Sequence, residues 1–98
     1  MYSVELTSTF KADLRETWEY IDQQLRSPGA AANLRTQAIR MALSLEEFPH
    51  RFAATQVRET IRYIPIDNFL LFYTVNEDNQ TVFLLRFLYG GSDWEKKI

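Results

Sequence analysis

The feature that most constrains the fold of this sequence is a pair of apolar runs in its second half. The runs are NFLLFYTV and TVFLLRFLY, and the short polar segment NEDNQ (76–80) separates them. Each run is apolar at consecutive positions, which is typical of a strand covered on both faces. A polar turn between two such runs predicts an antiparallel hairpin, with its last strand near the centre of a sheet.

In the first half of the chain, apolar residues first alternate with polar ones, as in one strand, and then recur at helical spacing in two consecutive segments. In YSVEL (2–6) apolar and polar residues alternate, as in a strand with one solvated face. Ser8 or Thr9 is positioned to cap a first helix, and Ser27 with Pro28 is positioned to begin a second. The apolar stripes of the two helices are Phe10, Leu14, Trp18, Ile21 and Leu25, and Leu34, Ala38, Met41 and Leu45. The short join between them predicts a helical hairpin.

The rest of the chain completes an α+β pattern. A loop at 49–56 leads into the β-rich run VRETIRYIPI, where Pro65 predicts an edge position or a strand end. The order β-α-α-β-β-β predicts a helical hairpin packed on a mostly antiparallel four-stranded sheet. A length of 98 residues allows one domain, and we expect it to span residues 1–98.

Composition excludes several classes of function. The chain has no cysteine, which rules out disulfides, thiolate catalysis and cysteine-ligated metal, and we expect no metal or cofactor. No apolar run approaches the roughly 20 residues that a membrane helix needs, and the N-terminus does not resemble a secretory signal. The sequence therefore predicts a cytoplasmic protein without membrane contact.

The positive charge consists mostly of arginine. A net charge of −2 argues against nucleic-acid binding by bulk electrostatics. Of the eleven cationic residues, only Lys11, Lys96 and Lys97 are lysines. Arginine has a permanent charge and a planar fork, so it suits phosphate or carboxylate recognition but not proton transfer. We expect most of these arginines to lie on solvated helix faces.

Arg86 differs from the other arginines because it interrupts an apolar strand. Strand alternation places it on the face of Leu84 and Leu88, with Tyr89 on the face of Phe87, unless a bulge redirects the end of the strand. An unpaired charge at this position would be costly. Arg86 therefore needs either a carboxylate partner or a functional anion.

Three carboxylates are candidate partners for Arg86, namely Asp67, Glu59 and Asp93. A pair with any of them would fix the end of the strand and would have no further role. The sequence leaves this interpretation open beside that of an anion-binding site.

Four segments make the chain resemble the RelE/ParE superfamily of toxins from type II bacterial toxin-antitoxin modules. They are TSTFKADL (7–14), LEEFP (45–49), IRYIPIDNFLLFY (61–73) and VFLLRFLYGGSDW (82–94). Their order and spacing cover nearly the whole chain. The resemblance implies a compact β-α-α-β-β-β fold, a cognate antitoxin that wraps around the toxin, and growth inhibition when the toxin is free.

One branch, the RelE-like toxins, cleaves mRNA on the ribosome through attack of a ribose 2′-hydroxyl on the neighbouring phosphate. This sequence departs from that branch, since it has no lysine in its middle region and has Leu70 where those toxins carry an arginine. Gly91 and Ser92 replace the G-R-R pattern that follows the last strand in related chains. A nuclease would have to rely on a smaller set, with His50 and Glu59 as possible bases, Tyr89 as the acid, and three phosphate clamps: Arg58, Arg62 and Arg86. The catalytic candidates are Glu59, Arg62, Arg86 and Tyr89.

The other branch, the ParE-like toxins, poisons DNA gyrase by protein contact, and this interpretation is favoured. Such a toxin needs neither a proton shuttle nor a positive net charge. The candidate residues for contact with the target or the antitoxin are Arg58, Arg62, Arg86, Tyr89, Asp93 and Trp94, because Arg, Tyr and Trp dominate interface hot spots. Trp94 fits a core position equally well. We also expect the antitoxin to cover Arg62 and Arg86.

A third interpretation is an inactive relic that still binds its antitoxin. The replacement of the G-R-R pattern is compatible with such a loss of function. The partners implied by the three interpretations are the antitoxin in every case, with DNA gyrase or the mRNA-bearing ribosome as the target of an active toxin.

Overall fold

The computed structural model describes residues 1–98 and confirms the predicted order of elements. Its four-stranded sheet consists of β1 (Ser3–Leu6), β2 (Arg62–Ile66), β3 (Phe69–Asn76) and β4 (Thr81–Tyr89). The spatial order is β1-β4-β3-β2. Strands β2, β3 and β4 are antiparallel neighbours, whereas β1 pairs in parallel with β4. As predicted, β4 is central, and β2 with its Pro65 lies at an edge.

The helical hairpin is formed by α1 (Ser8–Glu19) and α2 (Pro28–Ser44), and a π-helical turn at Tyr20–Gln24 extends α1. A short 3-10 helix, Trp94–Lys96, lies near the C-terminus. Pro28 begins α2 as predicted, with Ser27 at the cap position. None of the helices is both long enough and apolar enough to cross a membrane.

The cap of α1 corrects the prediction of Ser8 or Thr9. Thr7 is the N-cap, and its Oγ1 accepts a hydrogen bond from the backbone N–H of Phe10 at 3.1 Å. Because β1 ends at Leu6, Thr7 is the last extended residue before the helix, which is the backbone conformation that an N-cap requires.

The main core lies between the helical hairpin and one face of the sheet. Its fully buried members include Leu45 from the end of α2 and Ile64, Leu71 and Val82 from the strands. Burying a side chain of this size stabilises the fold by about 1.5–3 kcal/mol. The largest side chain in this core is Tyr73, which is also fully buried.

A second, smaller core covers the opposite face of the sheet. Ile61, Phe72 and Leu88 form it, and Trp94 and Ile98 from the C-terminal segment pack against them. The ring centroids of Phe72 and Trp94 are 5.2 Å apart. This second core is why the central strands are apolar on both faces, as the sequence predicts.

A β-bulge in β4 corrects the predicted facing of its side chains. The pairing of β3 with β4 shifts by one residue, which leaves Leu85 without a partner. Leu84, before the bulge, and Phe87, after it, lie in the main core, whereas Leu88 lies in the second core. The prediction that Arg86 shares a face with both Leu84 and Leu88 is therefore wrong, because the extra residue offsets the alternation.

Candidate functional site

Arg86 forms an ion pair with Asp13, one turn into α1. Arg86 Nε donates to Asp13 Oδ2 at 2.8 Å, and Arg86 Nη2 donates to Oδ1 at 3.1 Å. The backbone N–H of Phe87 also donates to Asp13 Oδ2, at 2.9 Å. The Asp13 side chain is only 9% exposed, and that of Arg86 is 24% exposed. One nearly buried carboxylate thus satisfies both a guanidinium and the backbone of the bulged strand.

This pair corrects the prediction of Asp67, Glu59 or Asp93 as partners of Arg86. The physical reason is the length of β1, whose pairing with β4 ends at Leu84. Beyond that point the edge of β4 has no neighbouring strand, and α1 lies across it. The carboxylate of the helix replaces the missing ladder partner.

The electrostatics around Arg86 are those of a structural pair. Hydrogen bonds from Arg86 to Asp13 raise the pKa of the guanidinium, and the charges of Asp13 and Glu16 add to this, while partial burial opposes it. Arg86 Nη1 also donates to the carbonyl of Lys97 at 3.3 Å. All three nitrogens of the guanidinium therefore donate hydrogen bonds to acceptors within the chain.

Arg62 is likewise used inside the chain, where it holds the segment that follows α2. Its Nη1 donates to the carbonyls of His50 and Phe52. The buried Tyr73 hydroxyl donates to the Pro49 carbonyl at 2.7 Å. Burial raises the pKa of Tyr73, and the charge of Arg62 partly offsets that rise. The two side chains together fix the start of the loop.

Tyr89 lies apart from these arginines, 55% exposed at the end of β4. It borders a groove of about 610 Å³ between α1 and the strand ends, together with Glu16, Tyr20 and Phe69. The Phe69 and Tyr89 rings meet edge to face at 6.0 Å. The groove that holds Tyr89 contains neither Arg62 nor Arg86.

Arg58 and Glu59 lie at the exposed tip of the loop between α2 and β2. Neither side chain makes a hydrogen bond or ion pair within the chain.

The remaining two candidates belong to the C-terminal segment. Asp93 forms a solvent-exposed pair with Lys96 at 3.7 Å, and half-buried Trp94 covers Phe72.

The four catalytic candidates are therefore not gathered in one cleft. No hydrogen bond or ion pair joins any two of Glu59, Arg62, Arg86 and Tyr89, and they lie in four different settings. No group of three or more His, Asp or Glu side chains is arranged to hold a metal ion. The chemical role of these residues remains a prediction from the sequence.

A polar cluster that the sequence does not predict joins three distant parts of the chain. The Tyr2 hydroxyl donates to Glu77 Oε2 at 2.8 Å, and His50 Nε2 contacts Glu77 Oε1. The hydrogen bond from Tyr2 is the main cause that lowers the pKa of Glu77, and it raises the pKa of Tyr2 in turn. Tyr2 and Glu77 are 75 residues apart, so no local pattern reveals the contact.

An apolar groove of about 350 Å³ opens between β1, α1 and α2. Its lining is almost wholly apolar, and three of its apolar side chains are exposed: Leu6 at 42%, Ile39 at 54% and Leu43 at 56%. It adjoins β1, the edge strand on that side of the sheet. The sequence analysis missed this groove because it considered only the predicted core stripe of α2. Ile39 and Leu43 are apolar residues outside that stripe, and they were the available signal.

Comparisons with solved structures establish the fold. The chain is similar to a protein of the chromosomal ParDE toxin-antitoxin system from P. aeruginosa, with 17% identity, a TM-score of 0.75, and coverage of 91% of this chain and 96% of the other. It is also similar to a chain of the toxin-antitoxin complex RelBE2 from Mycobacterium tuberculosis, with 22% identity, a TM-score of 0.60, and coverage of 90% and 96%. A conserved hypothetical protein from Helicobacter pylori matches with 18% identity, a TM-score of 0.51, and coverage of 98% and 99%.

Comparison at the level of sequence shows the family. No curated protein sequence matches the chain. The family model for the ParE toxin of the type II toxin-antitoxin system parDE matches residues 4–94, nearly the full length. The chain therefore belongs to the ParE toxin family of type II toxin-antitoxin systems.

Proposed function

We propose that this chain is a toxin that binds and poisons DNA gyrase in the cytoplasm, without a catalytic step, and that a cognate antitoxin neutralises it. The observation that carries the proposal is the internal use of its arginines. Arg86 is held by Asp13 through Nε and Nη2, and Arg62 donates through Nη1 to two loop carbonyls, so both guanidinium groups already serve contacts within the chain.

An RNase reaction would need a different arrangement. Attack by a 2′-hydroxyl requires a base, cations at the phosphate and an acid for the leaving oxygen, all around one reacting group. Here Tyr89 lies in a groove beside α1 and Glu59 lies at a loop tip. A toxin that acts by protein contact has no such geometric requirement.

For the antitoxin, the groove between β1 and the helices is the best-suited surface. Exposed Ile39 and Leu43 offer apolar area to a partner, and the outer edge of β1 offers backbone hydrogen bonds to an added strand. The internal pairing of Arg62 and Arg86 favours this groove over those two arginines as the main antitoxin contact.

The proposal is tested by inducing the chain without antitoxin while protein synthesis and DNA supercoiling are followed in the same culture. We expect loss of supercoiling and DNA damage before translation stops. The purified chain should also inhibit supercoiling by purified gyrase, and added antitoxin should reverse that inhibition.

Other outcomes distinguish the alternatives. Early arrest of translation with cleaved transcripts would replace the proposal with ribosome-dependent mRNA cleavage. Normal growth together with antitoxin binding would identify an inactive relic.

A further inference from the structure

The loop between α2 and β2 has an exposed tip. Hydrogen bonds hold the backbone of this tip in place, but the side chains at its end make no packing contact with the core. The tip is the segment 55–61, in which residues 56–60 are all exposed. The sequence predicts a loop at 49–56 and a β-rich run from residue 57, and the strand prediction for 57–61 is wrong, because β2 begins at Arg62. In the structure, nearly every polar group at the base of the tip has a partner.

Thr55 makes three of the hydrogen bonds that hold this segment in place. It is 4% exposed, and its Oγ1 donates to the Arg58 carbonyl at 2.7 Å and accepts from the Arg58 N–H at 3.0 Å. Its own N–H donates to the Ile61 carbonyl at 2.7 Å. The segment is thus closed on itself by a buried hydroxyl and by backbone hydrogen bonds.

Two further contacts attach the tip to the sheet. The Thr74 hydroxyl of β3 donates to the Thr60 carbonyl at 2.7 Å. Ala54 forms a bridge with Arg62, and the Tyr63 N–H donates to the Ala53 carbonyl, so the stem continues β2 as a short ladder. A loop fixed in this way loses little conformational entropy when it binds a partner.

The tip presents side chains suited to a protein surface. Val57 is 51% exposed and borders a groove of about 620 Å³ whose other walls include Tyr63, Trp94 and Glu95. The adjacent Arg58 guanidinium has no partner in the chain. Glu95 lines the same groove, so the site has both signs of charge and is not the basic surface that the closely spaced phosphates of RNA require.

We propose that the tip formed by residues 55–61 is the element through which the toxin contacts its cellular target, at a site on a folded protein where an apolar side chain lies beside a carboxylate. Val57 and the Tyr63–Trp94 groove take the apolar group, and Arg58 takes the carboxylate. The loop and the C-terminal segment form this surface, and it shares no lining residue with the groove proposed for the antitoxin. The inference rests on the proposed function, because it assumes a protein target.

The test compares two double variants with the unaltered toxin. Val57→Asp with Arg58→Glu changes the tip. Leu25→Asp with Arg26→Glu makes the same two changes at an exposed pair between the helices, where Leu25 is 56% exposed. Growth, inhibition of purified gyrase, antitoxin affinity and thermal unfolding are measured for all three proteins.

We expect the tip variant to inhibit gyrase about thirtyfold less and to permit growth, since hot-spot substitutions cost at least that much. Its antitoxin affinity and melting temperature should stay unchanged, and the control variant should remain toxic. A toxic tip variant would overturn the inference while leaving the proposed function intact. If the unaltered toxin spares both gyrase and growth, the proposed function itself fails.

A third variant, Thr55→Val, tests the role of preorganisation. It leaves every tip side chain in place but removes the hydroxyl that closes the segment. Faster amide exchange at residues 56–60 with weaker gyrase inhibition is the expected result. Faster exchange with undiminished inhibition would show that the rigidity of the tip has no part in binding.

Discussion

At the scale of single residues, the position of each arginine in the fold decides its role. Arg86 and Arg62 were the strongest candidates for anion binding, yet both guanidinium groups are used to hold the chain together. Arg58, which has no internal partner, is the one among the candidate arginines that is free to meet another molecule. Charge alone therefore did not distinguish structural from functional arginines, because the difference lies in contacts with residues distant in sequence.

Replacing Asp13 with asparagine tests the structural role of Arg86. The change removes the charge that compensates a mostly buried guanidinium, so we expect the free energy of unfolding to fall by about 3 kcal/mol. Urea denaturation measures the difference. Glu19→Gln, at an exposed position of α1 without an ion pair, is the matched control and should change stability by less than about 0.5 kcal/mol. Equal stability of the two variants would contradict this account.

The hydrogen bond between Tyr2 and Glu77 is expected to make stability depend on pH. The folded-state pKa of Glu77 is lowered, so its contribution is present above the unfolded pKa and is lost as the pH falls through the folded value. The pKa of Tyr2 is raised, so its contribution is lost as the pH rises through the folded value.

Glu77→Gln should therefore flatten the dependence of melting temperature on pH at both the acidic and the alkaline ends. Thermal unfolding across the pH range measures it. Asp78→Asn in the same turn is the control, because the Asp78 side chain makes no hydrogen bond. Parallel curves for Glu77→Gln and the unaltered protein would show that the cluster does not couple folding to protonation.

At the scale of secondary-structure elements, the sequence predicts the order of the elements well and their junctions less well. Helical and strand periodicities are local, so both helices, the central hairpin and the edge strand with Pro65 were predicted correctly. The bulge at Leu85 was not located, because no residue within the apolar run marks it. Asp13 had a weak signal, since it lies three residues from Phe10 on the buried side of α1, but its partner is 73 residues away.

The junction of β1 with α1 gives a prediction at this scale. Thr7 Oγ1 caps α1 and also donates to the Leu84 carbonyl at 2.8 Å, so one hydroxyl joins a helix to the central strand. We expect Thr7→Ala to cost about 1–2 kcal/mol of stability. Ser8→Ala should cost little, because Thr7 is the actual cap. Chemical denaturation of both variants decides between the two residues, and a larger loss for Ser8→Ala would refute the assignment.

At the scale of the whole molecule, the sheet separates two surfaces with different properties. The helical side has the apolar groove with exposed Ile39 and Leu43, and the other side has the rigid tip beside Trp94. The sequence predicted that the central strands are covered on both faces. It did not show that the loop and the C-terminal segment supply the second cover, because neither has a periodic pattern.

The last prediction concerns the groove on the helical side. Leu43→Asp places a charge where an apolar antitoxin segment would pack, so we expect antitoxin affinity to fall about thirtyfold, as for loss of an interface hot spot. Leu25→Asp is the matched control, because Leu25 and Leu43 are each 56% exposed and only Leu43 borders the groove. Calorimetric titration with the cognate antitoxin measures both. If both variants bind like the unaltered toxin, the antitoxin contacts another face. If Leu43→Asp alone loses binding, its toxicity in cells should no longer be suppressed by the antitoxin, since the tip at residues 55–61 is left intact.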